Sequence, residues 1–360
     1  MSYRGPVTYR VIQWATGNVG KSAIEGVLAH PELELVGVKV YGSDKDGVDA
    51  GEICGIDPIG VAATIDDDAV LALDADCVVY TPVLANRDEV RSILASGKNV
   101  VTPVGWLYPF VADRVLGHVE DEPILRAAID GGVTLHGTGI HPGGITERFP
   151  LMVSALVSDV RHVRAEEFSD IRSYAAEFVV REIMMFGKSP EETATSSMSS
   201  LMGGHFGESI SMLAAQLGFD LDADIQADHQ WAVATAPIDS PVGVIDPGTV
   251  AAQRFTWTAT VDGEAVITVA VNWLMGEEHL DPPWTFGDGQ RFEVSVAGNP
   301  SLDVTFRGLQ PAKPEDGLVR NPGIVATAMH CVNAVPYVCE AAPGIASYLD
   351  LPLIAGRAAR

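Results

Sequence analysis

The sequence predicts an α/β domain built on a doubly wound parallel sheet, followed by an α+β domain with a mostly antiparallel sheet. Three observations predict it. Short β-branched runs alternate with helical patterns through the first 140 residues, a glycine-rich turn joins the first run to the first helical pattern, and beyond Phe149 the texture changes to strand pairs joined by tight turns.

Taken in order, Val7 to Trp14, Leu35 to Tyr41, Asp76 to Tyr80, Asn99 to Val101 and Val133 to His136 are candidate strands. Between them lie Val19 to Ala29, Asn86 to Ser96 and Glu122 to Asp130, whose apolar residues recur at helical three- and four-residue spacing. From Phe149 to Ser158 the chain has a helix-like stretch. The clearest later element is a hairpin: FTWTATV, then Asp262-Gly263, then a run in which Ala265, Ile267, Val269, Val271 and Trp273 alternate with Val266, Thr268, Ala270 and Asn272. A second hairpin is expected through Gly298-Asn299-Pro300, and the apolar run from Ile324 to Val338 suggests a helix. These elements divide the chain into residues 1–148, 149–320 and a helical segment, 321–360, that closes the pocket.

A length of 360 residues suits two domains, each able to bury its own core. The formal charge of -25 disfavours nucleic acid and anionic membrane surfaces, since both are bound through clustered Lys and Arg. No apolar run reaches the about 18 residues of a membrane span, and MSYRGPVTYR lacks a signal-peptide core, so a soluble, cytoplasmic protein is expected. Cys54, Cys77, Cys331 and Cys339 have no metal-ligand or redox spacing, and no metal site is suggested.

The chemistry concentrates in VIQWATGNVGKSAI, where a strand runs into Ala15-Thr16-Gly17-Asn18-Val19-Gly20 and then a helix. This is a Rossmann fingerprint: glycines allow the tight turn and let backbone N–H groups approach a pyrophosphate at the positive end of the helix. Ala15 replaces the first glycine, which a small side chain tolerates if its φ stays negative. The second strand ends Val38-Lys39-Val40-Tyr41-Gly42-Ser43 without the carboxylate of an NAD-selective site; Ser43 and Lys45 can instead meet a 2′-phosphate, so NADP is expected, with NAD as the alternative. The strand ends at Thr81-Pro82 and Thr102-Pro103 should face the nicotinamide. Next comes GTGIHPGG, a turn rich enough in glycine to pass close to a ligand or to hinge.

With these pieces placed, the chain resembles the dihydrodipicolinate reductase-like superfamily, in the branch of 2,4-diaminopentanoate dehydrogenase and the native amine dehydrogenases. The resemblance rests on WATGNVG at 14–20, YGSDKDGVDAGE at 41–52, GKNVVTP at 97–103, GTGIHPGG at 137–144, FGKSPEE at 186–192 and TAMHCVNAVPYV at 327–338. It also excludes lysine-pathway reduction, because Met184 and Met185 stand where true dihydrodipicolinate reductases carry two histidines, and a thioether neither gives a proton nor holds a carboxylate. Amine dehydrogenases of this branch carry a glutamate shortly after the fifth strand. Here Val104 and Gly105 stand in that place, which leaves Glu182 as a carboxylate that could substitute.

His141, in the glycine turn, is the first candidate for a proton donor, followed by Tyr174 and His330, with His205 and Tyr108 ranked lower. Trp106, Tyr108, His141, Tyr174, Met184 and Asn333 are the expected pocket residues. The implied activity is reversible hydride transfer between NADP(H) and a C=N or C=O carbon of a small, largely apolar molecule. The alternatives are an alcohol or ketone oxidoreductase without amine chemistry and a dinucleotide-binding paralogue without catalysis. A homodimer is expected, because the outer face of the antiparallel sheet would otherwise expose Trp257 or Trp273.

Overall fold

Buried on both faces, a parallel strand needs apolar residues at consecutive positions, and the N-terminal runs supply them. β1 (Tyr9–Trp14), β2 (Leu33–Lys39), β4 (Cys77–Tyr80), β5 (Asn99–Thr102) and β6 (Thr134–Gly137) all form, with a two-residue β3 (Ala63–Thr64) at one edge. The computed structural model describes residues 8–109, 121–196 and 198–358, so Val7, the first residue of the expected β1, lies outside the described residues. Cys77, Val78, Val79 and Tyr80 are all fully buried. β2 starts two residues earlier than its apolar run and ends at Lys39, where β3 stops pairing with it.

Helices α1 (Asn18–Ala29), α2 (Ala50–Cys54), α3 (Asp67–Leu71), α4 (Arg87–Ala95) and α5 (Glu122–Gly131) link the strands. In α4, Asn86 caps the N–H groups of Asp88 and Glu89, and Val90, Ile93 and Leu94 form the buried stripe. α5 stops at Gly132, which takes the left-handed conformation (φ 68°) that favours glycine.

The second unit, 144–196 and 198–323, begins with α6 (Arg148–Ser154), shorter than the helix-like stretch suggested. β7 (Ser158–Asp170) follows, then α7 (Pro190–Ala194), α8 (Met198–Leu217), β8 (Gln226–Ala234), β9 (Val250–Val261), β10 (Glu264–Leu274), β11 (Leu280–Asp281), β12 (Arg291–Asn299), β13 (Leu302–Phe306) and α9 (Pro314–Val319). Both expected hairpins form, β9–β10 and β12–β13. At the first, Asp262 and Gly263 both have positive φ, and the Asp222 carboxylate accepts from both of their N–H groups. The sheet runs β11-β8-β9-β10-β7-β12-β13, antiparallel except where β10 lies parallel to β7.

One face of this sheet carries the unit's apolar core, which contains Val163, Phe206, Ile210, Phe255, Trp257, Val269 and Val271. Trp257 is 3% exposed and Trp273 packs against the same core. The expectation that a tryptophan lies on the outer face is therefore corrected. Trp257 lies opposite Val269, and Trp273 follows Val269 and Val271 on the same face of β10, so alternation brings both indoles to the core side. The opposite face is polar, with His162, Arg164 and Glu166 on β7 beside Thr268 and Asn272 on β10.

The chain then returns to the first unit, which comprises 8–109, 121–143 and 324–358. α10 (Pro322–Cys339) covers α1 so closely that a Cβ on Gly26 would sit 2.1 Å from Met329 Cε. β14 (Gly344–Ala346) pairs with β6 and completes a seven-stranded, all-parallel sheet of order β14-β6-β5-β4-β1-β2-β3. α10 packs on one face of the sheet with α1, and the buried stripes of α4 and α5 pack on the other, so the sheet is doubly wound. No helix among the described residues is long and apolar enough to cross a membrane.

Candidate active site

The turn after β1 is held from several sides. Ala15 N–H donates to the Lys39 carbonyl (3.0 Å), and the buried Gln13 amide donates to the carbonyls of Trp14 (3.1 Å) and Ala15 (2.9 Å) and to Thr81 Oγ1 (2.7 Å). Ala15 does not keep a negative φ; it sits at 74°, where an L residue pays about 1–2 kcal/mol. The reason is the start of α1, whose Gly20 presses onto the Ala15 carbonyl: a Cβ there would lie 2.1 Å from the oxygen.

Gly17 differs. Its φ of -71° suits any residue and a Cβ would meet nothing within 4 Å, so the chain's own packing does not require glycine there. What the missing side chain leaves is room above the first turn of α1. That turn has neither a side-chain cap nor an acidic residue, so the N–H groups of Asn18, Val19 and Gly20 can face an anion. These features fit a dinucleotide pyrophosphate.

Lys45 Nζ lies 3.2 Å from Thr16 Oγ1, so this cation stands beside the turn, while Ser43 is exposed. Lys39, at the tip of β2, is committed inward: its ammonium donates to the carbonyls of Val40 and Ile65 (2.9 and 3.0 Å) and pairs with Asp67 (2.9 Å). Tyr41 donates to Glu89 and is half exposed; burial and that carboxylate push its phenol up.

At the strand ends, Thr81 donates to the Trp14 carbonyl (3.3 Å), Pro82 follows it half-buried, and buried Thr102 accepts from Val104 N–H (3.2 Å). Trp106 is buried, with Nε1 donating to Asp121 (3.0 Å), and Tyr108 is half-buried. A Cβ on Gly137 would meet the Gly105 carbonyl at 2.1 Å, so the 105–106 segment lies directly on the end of β6. After β6 the glycine turn doubles back on itself: Gly139 and Gly143 have φ of 150° and 130°, and a Cβ on Gly143 would lie 2.3 Å from Gly139 N. His141 sits between them, before a cis Pro142.

His330 on α10 meets this same turn. Its Nδ1 bonds to the Gly139 carbonyl, which can only accept, so that nitrogen carries a hydrogen. Tyr348 stacks on the ring, centroids 5.6 Å apart, and its hydroxyl is hydrogen-bonded to Thr138. Asn333 points elsewhere, toward Gly356.

In the second unit, Tyr174 follows a short 3-10 turn and packs against the apolar core; burial, then the charge of Glu167, raises its phenol. Met184 lies in that core with Met185 at φ 62°, and Glu182 is taken by Lys188 (2.7 and 2.9 Å). His205 is on α8. Sequence patterning missed Glu167. The signal available was the pair Glu166-Glu167 inside a strand-like stretch, where alternation sends one of two carboxylates toward the covered face.

Comparison with known proteins agrees with this architecture. Residues 11–103 match the profile of the dihydrodipicolinate reductase N-terminus, and residues 145–359 match that of the 2,4-diaminopentanoate dehydrogenase C-terminal domain. An amine dehydrogenase of Streptomyces virginiae is 33% identical over 95% of this chain and 96% of its own. The 2,4-diaminopentanoate dehydrogenase of Acetoanaerobium sticklandii is 26% identical over 96% and 93%. The structure of an amine dehydrogenase from Mycobacterium smegmatis shares the fold, with a TM-score of 0.77 at 20% identity over 97% of each chain. By contrast, a 4-hydroxy-tetrahydrodipicolinate reductase of Synechocystis aligns over only 24% of the chain. A dinucleotide-type first unit joined to this second unit over nearly the full length of such relatives means that the chain belongs to the 2,4-diaminopentanoate dehydrogenase family and is a dehydrogenase of the Rossmann type.

Proposed function

We propose that the protein is an NAD(P)H-dependent, amine dehydrogenase-like oxidoreductase that moves hydride between a nicotinamide and the C=N carbon of a small, largely apolar substrate. The observation that carries this is the near-full-length 33% identity with an amine dehydrogenase, on a chain whose Gly17 leaves open space over an uncapped helix start. A reduced nicotinamide supplies the hydride. The residues of the chain do the rest. The N–H groups of Asn18, Val19 and Gly20 hold the pyrophosphate, Ser43 and Lys45 take a 2′-phosphate and so favour NADP(H), and Thr81, Pro82 and Thr102 border the nicotinamide end. His141, between two glycines, gives or takes the proton, with His330 and Tyr174 next in order. Within the first unit, Trp106 and Tyr108 border the substrate end, while Asn333, which points toward Gly356, drops out of the expected lining.

A second reading, ketone reduction without amine chemistry, is favoured by Val104 and Gly105, which offer no carboxylate after the fifth strand. The test is NADPH oxidation across a ketone panel with and without ammonia. Ammonia-dependent turnover supports the first reading; ammonia-independent turnover alone replaces it with the second. A cytoplasmic homodimer completes the proposal. The dimer rests on the family resemblance, since the tryptophans that suggested it face inward, and light scattering giving 38.1 kDa at micromolar concentration would remove it.

A further inference from the structure

β7 carries two adjacent glutamates that point to opposite faces of the sheet. Glu166 is matched, accepting from Arg164 Nε (2.6 Å) and Asn272 Nδ2 (2.9 Å). Glu167 is not. It is 8% exposed, and among the described residues no Lys, Arg or His forms an ion pair with it. Its Oε1 accepts from Ser169 Oγ (2.5 Å) and Trp273 Nε1 (3.1 Å), and its Oε2 accepts no hydrogen bond from them. Gln310 Nε2 donates to Ser169 Oγ (2.5 Å), which aims the serine hydrogen at Glu167. Gln310 Oε1 is itself buried without a donor. The buried atom of this nest left without a partner, Gln310 Oε1, is an acceptor, so what the nest lacks is a donor.

The two donors already fixed on Oε1 favour the ionised carboxyl, because an indole N–H cannot accept a proton in return. A buried carboxylate without a cation is costly, and a cationic ligand would offset that cost. Around it, Trp273 and Tyr174 offer apolar surface. An ammonium group brings both the missing charge and three N–H donors, an alcohol brings a donor without charge, and an anion is repelled.

We propose that Glu167, oriented by Ser169 and Trp273, binds the protonated nitrogen of the amine substrate. This rests on the amine reading above. Burial, opposed by the two hydrogen bonds, pushes the carboxyl up to about 7, and Tyr174 is the titratable group beside it. Above neutrality the site is therefore an anion awaiting a cation.

Calorimetric titration at pH 8.5 with cyclohexylammonium chloride and with cyclohexanol tests it, in the presence of NADP+. The wild-type protein should bind the ammonium at least tenfold more tightly than the alcohol, and Glu167→Gln should bind the two alike while keeping its NADP+ affinity. Equal affinities in the wild type, or an undiminished preference in Glu167→Gln, overturns the proposal. The two readings fail separately. Ammonia-dependent turnover that survives Glu167→Gln removes Glu167 and leaves the amine reading, whereas ammonium selection through Glu167 in an enzyme that reduces only ketones removes the amine reading and leaves the site. Should Glu167→Gln not fold, Trp273→Phe, which deletes one donor, should move ammonium binding to higher pH; an unshifted pH profile overturns the proposal.

Discussion

Gly20 and Ala15 are locked by contact: the position of a Cβ on Gly20 falls 2.1 Å from the Ala15 carbonyl oxygen, so nothing larger than hydrogen fits between α1 and the end of β1. Gly17, two residues after Ala15, has no such constraint. Gly20→Ala should lower the melting temperature and abolish dinucleotide binding together. Gly17→Ala should melt as the wild type does and lose cofactor affinity alone, its methyl standing where the phosphates approach. Calorimetry and scanning fluorimetry separate the two outcomes.

Ala15→Gly should stabilise the fold. Relief of a left-handed alanine gains about 1–2 kcal/mol, and the extra freedom of glycine in the unfolded chain takes back about 0.4–1 kcal/mol. A small rise in melting temperature is expected, and a fall would show that the Ala15 methyl contributes packing of its own.

Lys45 touches the turn after β1 through Thr16. Lys45→Ala should weaken NADP+ more than NAD+, by about 1–3 kcal/mol for a lost charge-assisted hydrogen bond. Equal losses for both cofactors would place its role at the pyrophosphate instead.

His141 and His330 share one turn and differ in their ties. If His141 is the proton donor, His141→Ala should cut the maximal rate by about 10²-fold with cofactor affinity nearly unchanged. His330→Phe, which breaks the bond to the Gly139 carbonyl, should instead cost stability along with activity. Wild-type turnover in His141→Ala would move the proton chemistry to His330 or Tyr174.

Burial pushes the Glu167 carboxyl up to about 7, above the ordinary carboxyl value of 4.5. Between those values the folded protein holds a proton that the unfolded chain has released, so this group's contribution to stability falls as pH rises through the window and is lost above it. Glu167→Gln should therefore exceed the wild type in stability at pH 8, by an amount on the order of 3 kcal/mol, with the difference shrinking toward pH 4.5. Urea unfolding at the two pH values measures it. A constant difference would mean that Glu167 keeps an ordinary pKa.

The first unit was legible because its parallel strands carry runs of consecutive apolar residues, such as Val11-Ile12 and Cys77 to Tyr80, and α4 and α5 carry clean stripes. β3 and β14 were not, being two and three residues long and defined by their neighbours. β7 was hidden by its polar outer face: His162, Arg164, Glu166 and Asp170 dilute the apolar signal of a strand whose other side is core. The turn after β1 could be read from its glycines, although the positive φ of Ala15 could not, since it goes with a contact to Gly20. The carboxylate was sought in loops and at Glu182, which proves to be paired with Lys188. A buried acid on a central strand has no local motif; its neighbours Ser169, Trp273 and Gln310 are brought together only by the sheet.

The pairing of β14 with β6, and of α10 with the glycine face of α1, joins segments about 210 and 300 residues apart. On the ribosome, the first unit is thus begun before the second and finished after it. A nascent chain ending at residue 143 has an unpaired sheet edge at β6 and a bare groove at Gly26, while residues 144–323 emerge as an uninterrupted stretch that can assemble in the meantime. Any chain that stops short of β14 leaves its first sheet open on one side, so the first unit stays incomplete until β14 has emerged.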